Sequence, residues 1–348
     1  MAKKLTNNGG SQAAATIGLD IGYGVTKAIT DTQAVVFPSV WGAARELKFQ
    51  QADIAAKYPG DQLSDDDGDW YVGDLALSQL RAGEQIKLRG RTADESALGN
   101  VARARLAKVA IGKLFKGRHG GDVVHIRIAT GLPVDHMRGA ADLKAALVGQ
   151  HHIKTDQTDI VANITEVMVM PQPYGTVYSR MLTAAGQLDP CHTATRTGVC
   201  DVGTYTIDVT LDDDGEYIDA RSGSVEAGVY LIQEVITDAY DSRYGQKPDY
   251  RTVETIIKTG CVRISGEVVS FTDALNAGID KLNAATLSLL NDRWQAGRDI
   301  DVIYISGGGA RFVERAVKSA YPQAVVVDES QLANARGYLS YAHFAASN

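Results

Sequence analysis

Gly18-Leu19-Asp20-Ile21-Gly22-Tyr23-Gly24-Val25-Thr26-Lys27 is a short apolar run that breaks at two glycines and resumes with β-branched residues. Residues 16–20, the Gly-x-Gly turn and residues 25–30 read as strand, tight turn, strand. Two rival readings of the glycines fail. A dinucleotide-binding fingerprint needs a third glycine opening a helix, and Lys27 stands in its place. A P-loop needs Gly-Lys-Ser/Thr after four spacers, and none occurs. What remains is a strand–turn–strand clip. Its glycines let backbone N–H groups approach phosphate oxygens, and Thr26 or Lys27 adds donors. Asp20 is expected to face the hydration shell of Mg²⁺, which keeps several waters and prefers carboxylates.

The pattern returns at Asp201-Val202-Gly203-Thr204-Tyr205-Thr206. Either copy alone is as well explained by a structural hairpin, since one glycine turn suffices. Two clips facing each other can pinch a polyphosphate from opposite sides. A third piece, Ser306-Gly307-Gly308-Gly309-Ala310, follows the apolar stretch 301–305. Three successive glycines cost too much conformational entropy for a plain turn, and their missing side chains permit packing against a base and ribose.

The rest of the chain repeats one theme twice: a strand, an Asp-x-Gly turn, a second strand, then helices and further strands. Helices are expected to about residue 115 from a capping box at Thr92-Ala93-Asp94-Glu95, and over 135–148, 228–240, 252–259, 272–294 and 332–346. Asp67-Gly68 and Asp214-Gly215 signal hairpins. An EF-hand starting at Asp65 fails, because Trp70 occupies its glycine position and Ala76 its closing glutamate.

With 348 residues the chain exceeds one ordinary domain, and two lobes are expected. The net charge of −7 excludes broad nucleic-acid binding by the whole surface. Three cysteines, Cys191, Cys200 and Cys261, make neither a disulfide framework nor a metal-ligand spacing. Residues 1–15 are polar, without the apolar core of a signal peptide or an amphipathic stripe, and no apolar run spans a bilayer. A frayed start, no membrane association and a cytoplasmic location are the expectation. His125 reads as a strand-face residue, and Asp208 and Asp212 to Asp214 as solvated strand and turn carboxylates.

The order of these motifs resembles the actin-like ATPase superfamily: an Asp-x-Gly clip, Met170-Pro171-Gln172 before a helix, a second clip, then Gly-Gly-Gly. The opening motif, Val36-Phe37-Pro38-Ser39 and Gly131-Leu132-Pro133 are similar to the ParM/StbA branch of plasmid-segregation actins and related archaeal proteins. The resemblance implies an α/β fold of two lobes, each with a central mixed five-stranded sheet flanked by helices. The first lobe would cover 16–190 with an insertion at about 38–98. The second would cover 191–348 with an insertion at about 227–291, its last helix packing back on the first lobe. It implies ATP with Mg²⁺ in the interlobe cleft, with GTP not distinguished. Asp20, Gly22, Tyr23, Gly24, Thr26 and Lys27 match the first phosphate loop. Gly203, Thr204, Tyr205 and Thr206 match the second, and Asp201 the carboxylate that holds Mg²⁺ through water. Gln172 stands where the family positions the attacking water, and Gly307, Gly308 and Gly309 match the adenosine turn. Lys258 is aligned with the base pocket.

The function implied is an ATPase that forms head-to-tail filaments and segregates plasmid DNA through an adaptor. A small-molecule kinase or a non-polymerising scaffold ATPase are the alternatives. Charge adds one further expectation. Residues 51–80 carry seven acidic residues against Lys57, whereas 81–118 carry ten basic residues against three acidic ones. A pair of solvated faces explains this equally well; the sharper expectation is that the opposite patches join successive protomers, with Arg103 and Arg105 in the contact.

Overall fold

The opening motif folds as the antiparallel hairpin β1 (Ala15–Ile21) and β2 (Val25–Ile29), with Asp20 directly opposite Lys27. Around it the computed structural model describes residues 14–46, 51–88, 97–192 and 194–347. The capping box at 92–95 and the first thirteen residues lie outside the described residues. In chain order there follow β3 (Ala34–Pro38), β4 (Val40–Ala43), β5 (Gln62–Asp65), β6 (Gly68–Val72), β7 (Ile86–Lys87), β8 (Asp122–Leu132), β9 (Gly149–Thr155) and β10 (Asp159–Pro171). The helices among them are α1 (Gln51–Lys57), α2 (Gly73–Gln79), α3 (Ala97–Leu114) and α4 (Ala140–Leu147), with α5 (Tyr174–Met181) after β10.

The five strands β3-β2-β1-β8-β10 form the expected central sheet, β1 and β10 running parallel to β8. The sheet does not stop there. β9 adds antiparallel to β10, and β5 pairs with β9 through Leu63 and Ser64, so the hairpin β5–β6 with β4 and β7 prolongs it to ten strands among the described residues. Ile17 and Leu19 of β1, Ile126 and Ile128 of β8 and Ile164 of β10 form its buried centre together with Leu106 and Ala110 of α3.

The second half repeats the plan. β11 (Arg196–Val202) and β12 (Ile207–Asp213) pair with Asp201 opposite Asp208. β13 (Glu216–Tyr217) and β14 (Gly223–Val225) flank β12. α6 (Tyr230–Tyr244), α7 (Tyr250–Thr259), the hairpin β15 (Cys261–Ile264) and β16 (Glu267–Ser270), and α8 (Thr272–Trp294) come next. β17 (Val302–Ser306) runs parallel to β11, as β8 does to β1, and α9 (Ala310–Ala320), β18 (Ala324–Val326) and α10 (Ala333–Ser347) finish the chain. The sheet order is β13-β12-β11-β17-β18. The Asp214-Gly215 turn forms as its residues demand, with φ of 53° and 87°.

α10 returns to the first half and lies on β1, β8 and α5. The crossing is so close that a Cβ on Gly337 would stand 1.6 Å from the carbonyl oxygen of Gly175, and one on Gly18 1.9 Å from that of Ala335. Only glycine permits these contacts.

The uneven charge of residues 51–118 has a different meaning from the one expected. Arg103 and Arg105 are both buried. Arg105 Nε bonds Asp65 Oδ2 and its Nη2 bonds Asp67 Oδ2, each at 3.0 Å, while the guanidinium stacks on the Trp70 ring at 3.8 Å. Lys113 Nζ reaches Asp61 Oδ1 at 2.6 Å. Asp61, Asp65 and Asp67 are thus paired with α3 inside one protomer, and Arg103 and Arg105, both buried, do not form the expected contact between protomers.

Candidate nucleotide site

Register places the first pair of functional groups. Asp20 and Lys27 are partners across β1–β2, so their side chains leave the same face, and Lys27 Nζ bonds Asp20 Oδ2 at 2.7 Å. Gln172 follows β10 and sends Nε2 to Asp20 Oδ1 at 2.8 Å. A carboxylate only accepts, so this contact assigns the amide: nitrogen toward Asp20, oxygen turned away. No side chain caps the start of α5, so Gln172 is engaged by Asp20 and does not serve as a helix cap.

Asp201 and Asp208 are the equivalent partners across β11–β12, and both are buried. Asp201 Oδ2 accepts from Asn334 Nδ2 at 2.7 Å, and Asp208 Oδ2 from Thr206 Oγ1 at 2.8 Å. Burial and then the charge of Asp20 push the Asp201 carboxyl above the usual carboxylate range, against the pull of Lys27 and Asn334. Asp208 is not a solvated carboxylate, and neither is Asp212, whose Oδ2 accepts from Tyr174 Oη at 3.0 Å.

The two clips meet edge to edge, since a Cβ on Gly24 would stand 2.2 Å from Thr204 Oγ1. Between them opens a narrow chamber of about 50 Å³ faced by Gly22, Tyr23, Gly24, Lys27, Gln172, Asp201, Gly203, Thr204, Thr206, Asp208 and Gly307. Asp20 does not line it, because Lys27 and Gln172 cover its oxygens. Nor does Thr26, which is fully buried with its hydroxyl on Ser39 Oγ, which in turn donates to the Gly22 carbonyl. The expected ligand donor at Thr26 is thus a brace beneath the loop.

A wider cavity of about 540 Å³ adjoins the chamber and shares Tyr23, Gly24, Thr204 and Gly308 with it. One wall carries Phe37, Pro38, Leu77 and Lys87; the other carries Tyr205 and, on α7, Tyr250, Glu254 and Lys258. Arg311 and Phe312 of α9 also line it. The three glycines separate by role. A Cβ on Gly307, which has φ +85°, would meet Asp201 Oδ1 at 2.4 Å, and one on Gly309 would meet Val202 Cγ1 at 2.5 Å. Gly308 alone opens on the cavity, with nothing nearer than Gln331 Nε2 at 4.0 Å. Close packing against a ligand is therefore a property of Gly308, and Gly307 and Gly309 seat the turn on β11. Across the rim, Arg251 Nη2 of α7 donates to Tyr58 Oη at 2.7 Å.

Asp208, Asn334, Thr176 and Tyr338 are the site residues that sequence reasoning missed. For Asp208 a signal exists, since it holds in the second clip the place that Lys27 holds in the first.

Two family models match the chain in succession. One describes the N-terminal domain of actin like proteins and covers residues 18–175; the other describes the C-terminal part of an archaeal actin homologue, MreB-like, and covers 199–319. The chain belongs to the actin-like proteins. This actin-like chain superposes on the archaeal actin homologue Ta0583 with a TM-score of 0.77 and 20% identity, over 95% of this chain and 99% of that one. For the ParM filament from Clostridium botulinum the TM-score is 0.76 with 22% identity, over 95% and 99%. For Bacillus thuringiensis ParM with ATP it is 0.69 with 18% identity, over 97% and 100%. These likenesses show the fold of the actin-like chain. No curated protein is significantly similar to it in sequence. No described helix is long and apolar enough to cross a membrane.

Proposed function

We propose that the protein binds a magnesium nucleoside triphosphate between two lobes, residues 16–190 and 191–348, hydrolyses it, and couples nucleotide state to head-to-tail filaments. One observation carries this reading: a narrow chamber facing Lys27, Gln172, Asp201 and Asp208 opens directly into a cavity large enough for a nucleoside. The ParM filament and the ParM with ATP among the similar structures support it. In keeping with that resemblance, the proposed use is segregation of plasmid DNA through a DNA-bound adaptor in the cytoplasm.

The donor set fits Mg²⁺. Asp201 and Asp208 are hard oxygen donors on one strand pair, and no group of three or more His, Cys, Asp or Glu side chains among the described residues forms a protein cage. That suits a cation that keeps several waters and takes the rest of its ligands from phosphate. When bound, Mg²⁺ neutralises charge on the phosphates as the terminal group transfers. Asp20 takes a different part from the one expected for it, holding Lys27 and Gln172 in place. Lys27 then offers Nζ to a phosphate oxygen. Gln172, its nitrogen tied down, presents Oε1 to accept from a water and aim it in line. An amide takes no proton at neutral pH, so Gln172 orients water and is not a base.

The test combines phosphate release, light scattering and negative-stain microscopy with Mg-ATP, Mg-GTP and Mg-ADP. Filaments and phosphate release with a triphosphate, and disassembly with ADP, are the expected result. A protein that binds no nucleotide would sink the proposal. A monomer at high concentration that phosphorylates an added small molecule would replace it with the kinase reading.

A further inference from the structure

Asn334 and Tyr338 stand one turn apart on α10 and reach opposite halves of the site. Asn334 Nδ2 donates to Asp201 Oδ2 at 2.7 Å, and Tyr338 Oη donates to the backbone carbonyl of Gln172 at 3.0 Å. Asn334 is 5% exposed and Tyr338 0%, so neither contact competes with bulk water. The Asn334 amide is also barred from turning over. With Asp201 Oδ2 as the acceptor, the NH₂ faces it. On the other side the Thr176 hydroxyl, fully buried in the first turn of α5, donates to Asn334 Oδ1 at 2.8 Å. Thr176 lies four residues after Gln172. The helices that carry this chain of contacts are held at fixed separation by the Gly175–Gly337 crossing.

A buried asparagine bonded on both sides needs a reason, because a well-packed apolar residue is often as stable as a buried polar pair. Here the reason lies in the shape of the site. Gln172 and Asp201 come from different halves, and their relative position decides whether the water and the cation meet the same phosphate. One rigid helix touches both.

We propose that Asn334 is a positioning residue for the cation-binding carboxylate: it fixes the Asp201 side chain through a neutral donor, with Thr176 locking its orientation and Tyr338 holding Gln172 to the same helix. The proposal rests on the nucleotide reading above. Asparagine suits this task because its donor is uncharged. A lysine there would neutralise Asp201 and compete with the cation, and an aspartate would repel it.

The experiment measures nucleotide affinity of the full chain in excess Mg²⁺ and again in EDTA. Partners one shell out from a metal typically contribute 10- to 100-fold, so Asn334→Ala should weaken Mg-nucleotide binding by roughly that factor. Binding of metal-free nucleotide should stay near wild type. Thr176→Val, a milder change that removes only the lock, should shift the same ratio less. The double variant should be no worse than Asn334→Ala, because Thr176 acts through Asn334. Equal losses with and without Mg²⁺ would make Asn334 a structural residue and overturn the proposal. So would an unchanged ratio in Thr176→Val together with wild-type Mg²⁺ dependence in Asn334→Ala. A wild-type protein that binds no nucleotide in either condition would bring down the nucleotide reading itself, and the proposal with it.

Discussion

Asp20 and Asp201 sit at the same place in two copies of one hairpin, and their strand partners give them opposite chemistry. Asp20 faces Lys27 and is neutralised where it stands. Asp201 faces Asp208, so two buried carboxylates gather on one strand pair. Asp201→Asn is therefore expected to abolish hydrolysis and yet leave the nucleotide-free protein at least as stable as wild type. The sign follows from the raised Asp201 pKa. An acid whose folded pKa lies above its unfolded one adds stability at low pH and loses it as pH rises through the folded value. Wild-type melting temperature without nucleotide should fall over that rise, and the fall should shrink in Asp201→Asn. A large loss of stability in the variant at neutral pH would contradict this account. Gln172→Ala should lower turnover by about 10²-fold with little change in nucleotide affinity, the scale of a group that orients a reactant. Asp20→Ala should reproduce that turnover defect, since Gln172 loses the carboxylate that sets its amide. A variant that loses binding but turns over normally at saturation would assign Gln172 to binding instead.

At the scale of elements, α3 shows how a run of charge misleads. Arg105 carries a stacked indole on one side and two aspartates on the other, all within one half of the protein. Removing one partner of a buried pair leaves an uncompensated charge, so Arg105→Ala should cost about 3 kcal/mol in urea unfolding. Although burial raises the Asp65 pKa, hydrogen bonds from Arg105 and Trp70 more than offset it and hold the carboxyl below its usual range. The contribution is thus complete above about pH 4 and fades as pH falls through the lowered value. A variant as stable as wild type would refute the pairing. Much of the fold was legible because both clips, the glycine turn and α8 announce themselves through spacing within a few residues. The β15–β16 hairpin was also legible and was missed: Ser265-Gly266 has φ of 49° and 90° and marks its turn. Arg105, Asn334 and Tyr338 were not, because their roles arise from partners 38 to 166 residues away. No local pattern records which carboxylate a buried donor meets. Asp208 falls between these cases, visible only once the two hairpins are laid over each other.

For the whole molecule, the two halves share one helix and one cleft. Gly337→Ala should push α10 off α5 and lower the melting temperature, because its Cβ would overlap the Gly175 carbonyl; an unshifted melting curve would show that the crossing yields. Arg251 also joins the halves, on the rim, through Tyr58. That single bond has a consequence for time. If, as proposed, a nucleotide lies in the cavity between the halves, any bond that ties the halves together slows its departure, and this one would do so through a phenol that does not line the cavity. A hydrogen bond from a charged donor contributes about 1.5–3 kcal/mol, and each 1.4 kcal/mol is a factor of ten in a rate. Tyr58→Phe should therefore release a fluorescent diphosphate roughly tenfold faster in a chase experiment, with hydrolysis at saturation unchanged. An unaltered release rate would mean that the rim opens freely and the clock runs elsewhere.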